Sequence, residues 1–265
     1  LRDPPLDLSD DTSTRCNLRC RMCSLSAYGD RQDMSLETFR LLRDALGRVK
    51  HISFTCSGEP LMNRRIVDMV AIARSNSLAR LSMITNGTLL DKTMAKALIE
   101  AGLDELTVSL DGASATTYES IRHGANFAET LANIRSWRTE SEKAGPRPVR
   151  LRLAFVAMKS NITELPALLR VAREVGAHAV QVNGLEPYSE DCAAEILYGP
   201  DAVHYARFFH EALAVAERVG VPLQLPALQL GDKRHCRPMT HVAWDGTVRP
   251  CGALIYRRPF YFLGE

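Results

Sequence analysis

Six short β-rich apolar runs, each followed by a helix-patterned run, constrain the fold of this chain more than any other feature. The strands are expected at Leu6 to Asp11, His51 to Cys56, Leu81 to Thr85, Leu106 to Leu110, Val149 to Met158 and Ala179 to Val182. Between and after them lie helix-patterned runs. Met34 to Val49 places Leu36, Phe39, Leu42 and Leu46 on one face, with Ser35 as N-cap. Ile66 to Ser75 turns Val67, Val70 and Ala71 inward. Asp91 to Ala101 stops at Gly102. Ala115 to Ile121, Phe127 to Glu142, Glu164 to Val175 and Ala202 to Val219 complete the set. Each crossover helix returns the chain to the same end, so the sheet is expected to be parallel and the fold α/β. The pattern fits an open doubly wound sheet and a curved partial barrel equally well. In both, ligand chemistry belongs at the C-terminal ends of the strands.

From about Leu223 the pattern changes. Asp245-Gly246 lies between Val242-Ala243-Trp244 and Thr247-Val248-Arg249, a strong hairpin signal. Cys236 and Cys251 flank it, and an antiparallel hairpin would draw them together. The chain is therefore expected to divide into an α/β domain over residues 6–222 and a small module over residues 223–265.

The seven cysteines stand at 16, 20, 23, 56, 192, 236 and 251. An odd, uneven set behind an N-terminus with no apolar signal core argues against a disulfide framework and for a reducing, cytoplasmic setting. A formal net charge of +2 gives no electrostatic case for nucleic acid or an anionic membrane. No run has the apolar length of a membrane span. Cys16, Cys20 and Cys23 form a CxxxCxxC pattern in the loop after the first strand. Three thiolates can hold three irons of a [4Fe–4S] cluster and leave the fourth open for chemistry. A closed structural zinc site, the plainer alternative, wants four protein ligands.

This loop resembles that of the radical S-adenosylmethionine (radical SAM) superfamily, and further segments follow in the same order. Gly58-Glu59-Pro60 follows the second strand, Thr85-Asn86-Gly87 ends the third, and Ser109-Leu110-Asp111-Gly112 ends the fourth. Arg122, Asn161 and Val182-Asn183-Gly184-Leu185 complete the likeness, which covers roughly residues 6 to 190. Met22 departs from it, because an aromatic residue is common there. The resemblance implies a partial (β/α)6 barrel, a [4Fe–4S] cluster on Cys16, Cys20 and Cys23, and SAM on the open iron. It implies SAM contacts from Gly58, Glu59, Pro60, Asn86, Ser109 and Asp111. It further implies Arg122 at the SAM carboxylate and the backbone around Leu185 beside adenine. A flavodoxin- or ferredoxin-type electron donor is implied as well.

Cys236 and Cys251, spaced as CxxxxxxxxxGxxxxC, resemble the opening of the SPASM and shorter "twitch" modules. That implies an auxiliary [4Fe–4S] cluster whose further ligands would lie after Cys251; two buried structural cysteines are the plain alternative. Cys56 and Cys192 remain. Either is a candidate hydrogen-atom donor to a substrate radical, and either is alternatively a small buried apolar residue. Cys192 is also a candidate auxiliary-cluster ligand, and its polar stretch reads as a loop. The expected reaction is epimerisation of a small hydroxylated or amino substrate, sugar- or aminoglycoside-like, with Cys192 or Cys56 as donor. Two-electron dehydrogenation of the same class, or modification of a ribosomal peptide or protein, are the alternatives. Only about ten residues precede the cysteine loop, so no leader-binding domain is expected there, which weighs toward a small-molecule substrate.

Overall fold

The computed structural model describes residues 7–23, 31–55, 57–145, 148–187, 189–197, 202–226 and 240–249. Six parallel strands form its centre: β1 (Asp7–Asp10), β3 (His51–Phe54), β4 (Arg80–Thr85), β5 (Glu105–Ser109), β7 (Arg150–Ala157) and β8 (Ala179–Gly184). Two short strands lie beside the cysteine loop, β2 (Arg19–Cys20) and β6 (Arg122–His123). The main sheet runs β11-β10-β1-β3-β4-β5-β7-β8-β9, where β9 is Leu223–Gln224, β10 is Thr240–Val242 and β11 is Val248–Arg249. The six central strands lie side by side in chain order, with no reversal of winding. That selects the singly wound partial barrel over the doubly wound sheet, whose strand order must reverse at a switch point.

Register gives the two faces opposite characters. Leu8, Ile52 and Leu81 align across β1, β3 and β4, and Met83, Leu106 and Leu151 across β4, β5 and β7. All six are buried in the main core. The helices α3 (Ile66–Asn76), α4 (Lys92–Glu100), α6 (Phe127–Lys143), α7 (Leu165–Glu174) and α9 (Ala202–Val219) contribute to that same core. Side chains alternate faces along a strand, so the opposite, concave face carries Ser9, Ser53, Ser82, Glu105, Thr107, Arg152, Gln181 and Asn183. Glu105 there meets three guanidinium groups, those of Arg80, Arg150 and Arg152.

The expected helix over Met34 to Val49 is two short ones, α1 (Leu36–Arg40) and α2 (Arg43–Leu46). The amides of Leu41, Leu42 and Ala45 bond three residues back, which tightens the chain between them and leaves Leu41 exposed. Ser35 caps α1 as expected. In α3 the buried residues are Ile66, Met69, Val70 and Ala73, whereas Ala71 faces out. The stretch around Cys192, expected as a loop, is a helix, α8 (Glu190–Ala194), capped by Ser189.

The hairpin at Asp245-Gly246 forms, with β10 and β11 antiparallel and Gly246 at φ +86°. Strand β10 also pairs in parallel with β1, through Leu8↔Thr240 and Asp10↔Val242. The described part of the expected second module thus extends the barrel sheet at both edges, β10 and β11 beside β1 and β9 beside β8. Cys236 and Cys251 lie outside the described residues. No described helix is long and apolar enough to cross a membrane.

Asp10 ends β1 on the core-facing side. It is fully buried, and among the described residues neither carboxylate oxygen has a hydrogen-bond partner. Burial pushes its pKa up to about 7. The folded state therefore holds its proton more tightly than the unfolded chain does. This contribution is greatest below the ordinary carboxylate range and is lost as pH rises toward 7. Asp10→Asn is expected to flatten that slope. Between about pH 5 and 7 the wild type should lose roughly 2 kcal/mol that the variant keeps. Denaturant midpoints at several pH values measure it, and parallel curves for the two proteins refute it.

Candidate active site

The cysteine loop leaves β1 at its C-terminal end and is anchored on both sides. Arg15 pairs with Asp33 at 2.9 Å, and Ser13 Oγ donates to Asp33 Oδ1 at 2.7 Å. The amides of Gly58 and Glu59 donate to the carbonyls of Ser13 and Arg15 at 3.1 and 2.7 Å. The two loops approach so closely that a Cβ on Gly58 would sit 2.2 Å from the Arg15 carbonyl oxygen. This is why glycine stands there. Further along, β2 pairs antiparallel with β6, which sets Cys20 opposite Arg122.

Of the three thiols of the loop, Cys16 and Cys20 are half-buried and Cys23 is exposed. Donors point at two of them. Asn86 Nδ2 lies 3.9 Å and the Leu18 amide 3.4 Å from Cys16 Sγ, and Arg122 Nη1 lies 3.8 Å from Cys20 Sγ. Burial raises the pKa of both thiols, that of Cys20 to about 11 against the opposing Arg122 charge. Both would ionise when a metal binds. Among the described residues no three His, Cys, Asp or Glu side chains are grouped to hold one ion. Three soft thiol ligands from one loop, with donors to the sulfurs of Cys16 and Cys20, fit a [4Fe–4S] cluster with one iron left open.

Glu59 is 2% exposed and points into the protein. Its Oε1 accepts from Thr85 Oγ1 at 2.6 Å and from the Leu61 amide at 3.1 Å; its Oε2 accepts from the Asn86 amide at 2.7 Å. Desolvation raises its pKa against these bonds. The carboxylate thus ties the Gly58-Glu59-Pro60 loop to the end of β4. Asn86 extends the tie to the cysteine loop, donating to Asn17 Oδ1 at 3.0 Å.

Asp111 is fully buried at the end of β5. Its Oδ2 accepts from Arg122 Nε and Nη2, each at 2.7 Å, and its Oδ1 from the Val156 amide at 2.7 Å. Arg122 is also buried, and its charge is held firmly by Asp111. Asn161, likewise buried, donates to the carbonyls of Asp111 and Val156. Ser109, half-buried, ends β5 on the concave face.

Under the cysteine loop lies a cavity of about 320 Å³, lined by Met22, Met158, Leu185, Cys192 and Arg21 among others. Cys192 is 6% exposed and packs with Ile121, Met158, Leu185 and Ile196. Its Sγ lies 4.0 Å from the Arg21 carbonyl oxygen. Cys192 thus both packs in this apolar cluster and lines the cavity; Cys56 falls outside the described residues. A contact with no sequence signal is made here by Glu195. It accepts from Arg21 Nη2 at 2.9 Å and from the Ser160 amide at 2.9 Å, tying the cysteine loop to the segment after α8. It is invisible in the sequence because 174 residues separate it from Arg21.

Residues 11–141 match the radical SAM superfamily. The tungsten-containing aldehyde ferredoxin oxidoreductase cofactor-modifying protein of Pyrococcus furiosus is 30% identical over 96% of this chain and 73% of its own length. The PqqA peptide cyclase of Gluconobacter oxydans is 31% identical over 71% of this chain and 51% of its own length. Among solved structures, Streptococcus suis SuiB bound to S-adenosylmethionine matches with a TM-score of 0.76 at 17% identity. That match covers 97% of this chain and 63% of SuiB. None of these three is named for a sugar or aminoglycoside substrate.

Proposed function

The chain belongs to the radical SAM superfamily, and on that premise we propose that it modifies a peptide or protein substrate at an unactivated C–H bond. The polar concave face carries this reading. From β5 to β8 it presents the half-buried Ser109, Arg152, Gln181 and Asn183 in adjoining rows, above the buried Ser9, Ser53, Ser82 and Thr107, and among the described residues the sheet ends at β11 and β9 without closing. Partly accessible donors and acceptors in rows suit the regularly spaced amides of an extended chain. The 31% identity to a peptide cyclase supports the same class. Epimerisation of a sugar-like substrate draws no support from the relatives; Cys192 packs in an apolar cluster and lines the cavity beneath the cysteine loop.

When bound, the [4Fe–4S] cluster and SAM supply reductive cleavage of SAM and abstraction of a substrate hydrogen atom. The chain's own part is placement. Cys16, Cys20 and Cys23 would hold three irons. The backbone of Gly58 to Pro60, kept in position by Glu59, would meet the methionine end of SAM together with Ser109. The cavity between Met22 and Leu185 would take the nucleoside and keep water from it. Glu195 steadies the loop through Arg21.

A second reading, modification of an organic cofactor or its precursor, is favoured by the 30% relative. One experiment separates the two. Anaerobically reconstituted protein, dithionite and SAM are incubated with a synthetic peptide library or with a small-metabolite extract. Peptide-dependent 5′-deoxyadenosine and a mass change in a peptide are expected. Turnover stimulated by the extract alone would replace this reading with the second.

A further inference from the structure

We propose that Arg122, oriented by Asp111, is a positioning residue that raises the reduction potential of the cluster by donating an N–H to Cys20 Sγ. This rests on the reading in which Cys20 holds the cluster, and it differs from the SAM-carboxylate role that the family resemblance implies. Four observations converge on it. The β2–β6 register sets Cys20 directly opposite Arg122. Arg122 Nη1 lies 3.8 Å from Cys20 Sγ. The other side of the guanidinium is committed to Asp111, with Nε and Nη2 both 2.7 Å from Oδ2. Asp111 cannot swing away, because its Oδ1 accepts from the Val156 amide and its own carbonyl from Asn161.

The physical consequence follows from charge. Reduction adds an electron to a cluster whose negative charge is shared with its thiolate sulfurs. A buried N–H donor stabilises that reduced form more than the oxidised one, and the potential rises. A guanidinium does this better than an amide because it is charged and rigid. Asp111 offsets much of the net charge, so the directed N–H carries most of the effect. Asn86 Nδ2, at 3.9 Å from Cys16 Sγ, is a weaker, neutral counterpart on the next ligand.

Removing Arg122 alone would leave Asp111 buried and unpaired. Two variants avoid this: Arg122→Lys keeps the charge but cannot bridge Asp111 and Cys20 together, and the double variant Arg122→Gln/Asp111→Asn removes both charges at once. The readout is the reduced-to-oxidised ratio of the reconstituted cluster, by electron paramagnetic resonance at a fixed solution potential, without SAM. It is expected to fall about tenfold in both variants, equal to 59 mV for one electron. In the wild type, arginine carrying ¹⁵N in its guanidine should show a nitrogen coupling to the reduced cluster, a measurement that needs no variant. An unchanged ratio in assembled variants overturns the proposal, and so does absence of the coupling. A rise in the SAM dissociation constant with an unchanged potential would assign Arg122 to SAM instead. Retention of full iron in Cys20→Ala would strike the underlying ligand reading rather than the tuning role.

Discussion

Alanine at Cys16, Cys20 or Cys23 is expected to remove about four irons per chain and abolish SAM cleavage, while leaving the barrel folded. The two halves of that outcome have separate causes. The three thiols come from one loop, so no other side chain can take a missing ligand's place without moving the loop itself. A cluster held by two protein ligands would be exposed to loss on the side left open. The barrel does not depend on these thiols. Cys23 is exposed and Cys16 and Cys20 only half-buried, and the main core contains none of them. Iron and sulfide counts, with circular dichroism on the same samples, read both halves. Unfolding of all three variants would mean that the loop is a structural zinc-like staple, and full iron in any of them would remove that cysteine from the ligand set.

Gly58→Ala is expected to be nearly as damaging, and for a reason unrelated to ligation. The added Cβ would lie 2.2 Å from the Arg15 carbonyl oxygen and 2.8 Å from its carbonyl carbon. Both are backbone atoms, so no rotamer change relieves the clash. The 13–15 segment must separate from the Gly58–Glu59 segment, breaking two backbone hydrogen bonds. A loss of roughly 2–4 kcal/mol in stability follows from overpacking and two broken bonds. The larger effect is on SAM. The methionine-facing loop and the cluster-bearing loop would no longer be in register, and SAM affinity should fall at least tenfold even where the cluster assembles. Calorimetric titration of SAM against reconstituted protein measures it. Wild-type affinity in the variant would show that the close approach has no part in binding.

Much of this was legible in the residues. Alternation of β-rich and helical runs foretold the parallel strands, because each helix must return the chain to the same sheet end. Motif spacing picked out Glu59, Asn86, Asp111, Arg122 and Asn161, and these gather in two hydrogen-bonded sets at the strand ends, Glu59 with Asn86 and Asp111 with Arg122 and Asn161. Their partners were not legible. Glu59 directs its carboxylate to Asn86 and Thr85, and Arg122 its guanidinium to Asp111 and Cys20. A motif states which residue is present, whereas direction depends on the backbone of other strands. The polar stretch around Cys192 suggested an open loop, yet Ser189 caps a helix that turns Cys192 inward.

The sequence by itself determined the class of chemistry and the strand order's raw material: three clustered thiols, the segments around them, and a period-two apolar face on every strand. Only the tertiary structure decided how these are used. It wound the strands in one sense, so that one face packs under helices and the other is left polar. It brought Arg122 onto Cys20 and Glu195 onto Arg21 across more than a hundred residues. The reason is physical. Local pattern encodes which surfaces avoid water, but the pairing of buried charges is set by which strands become neighbours.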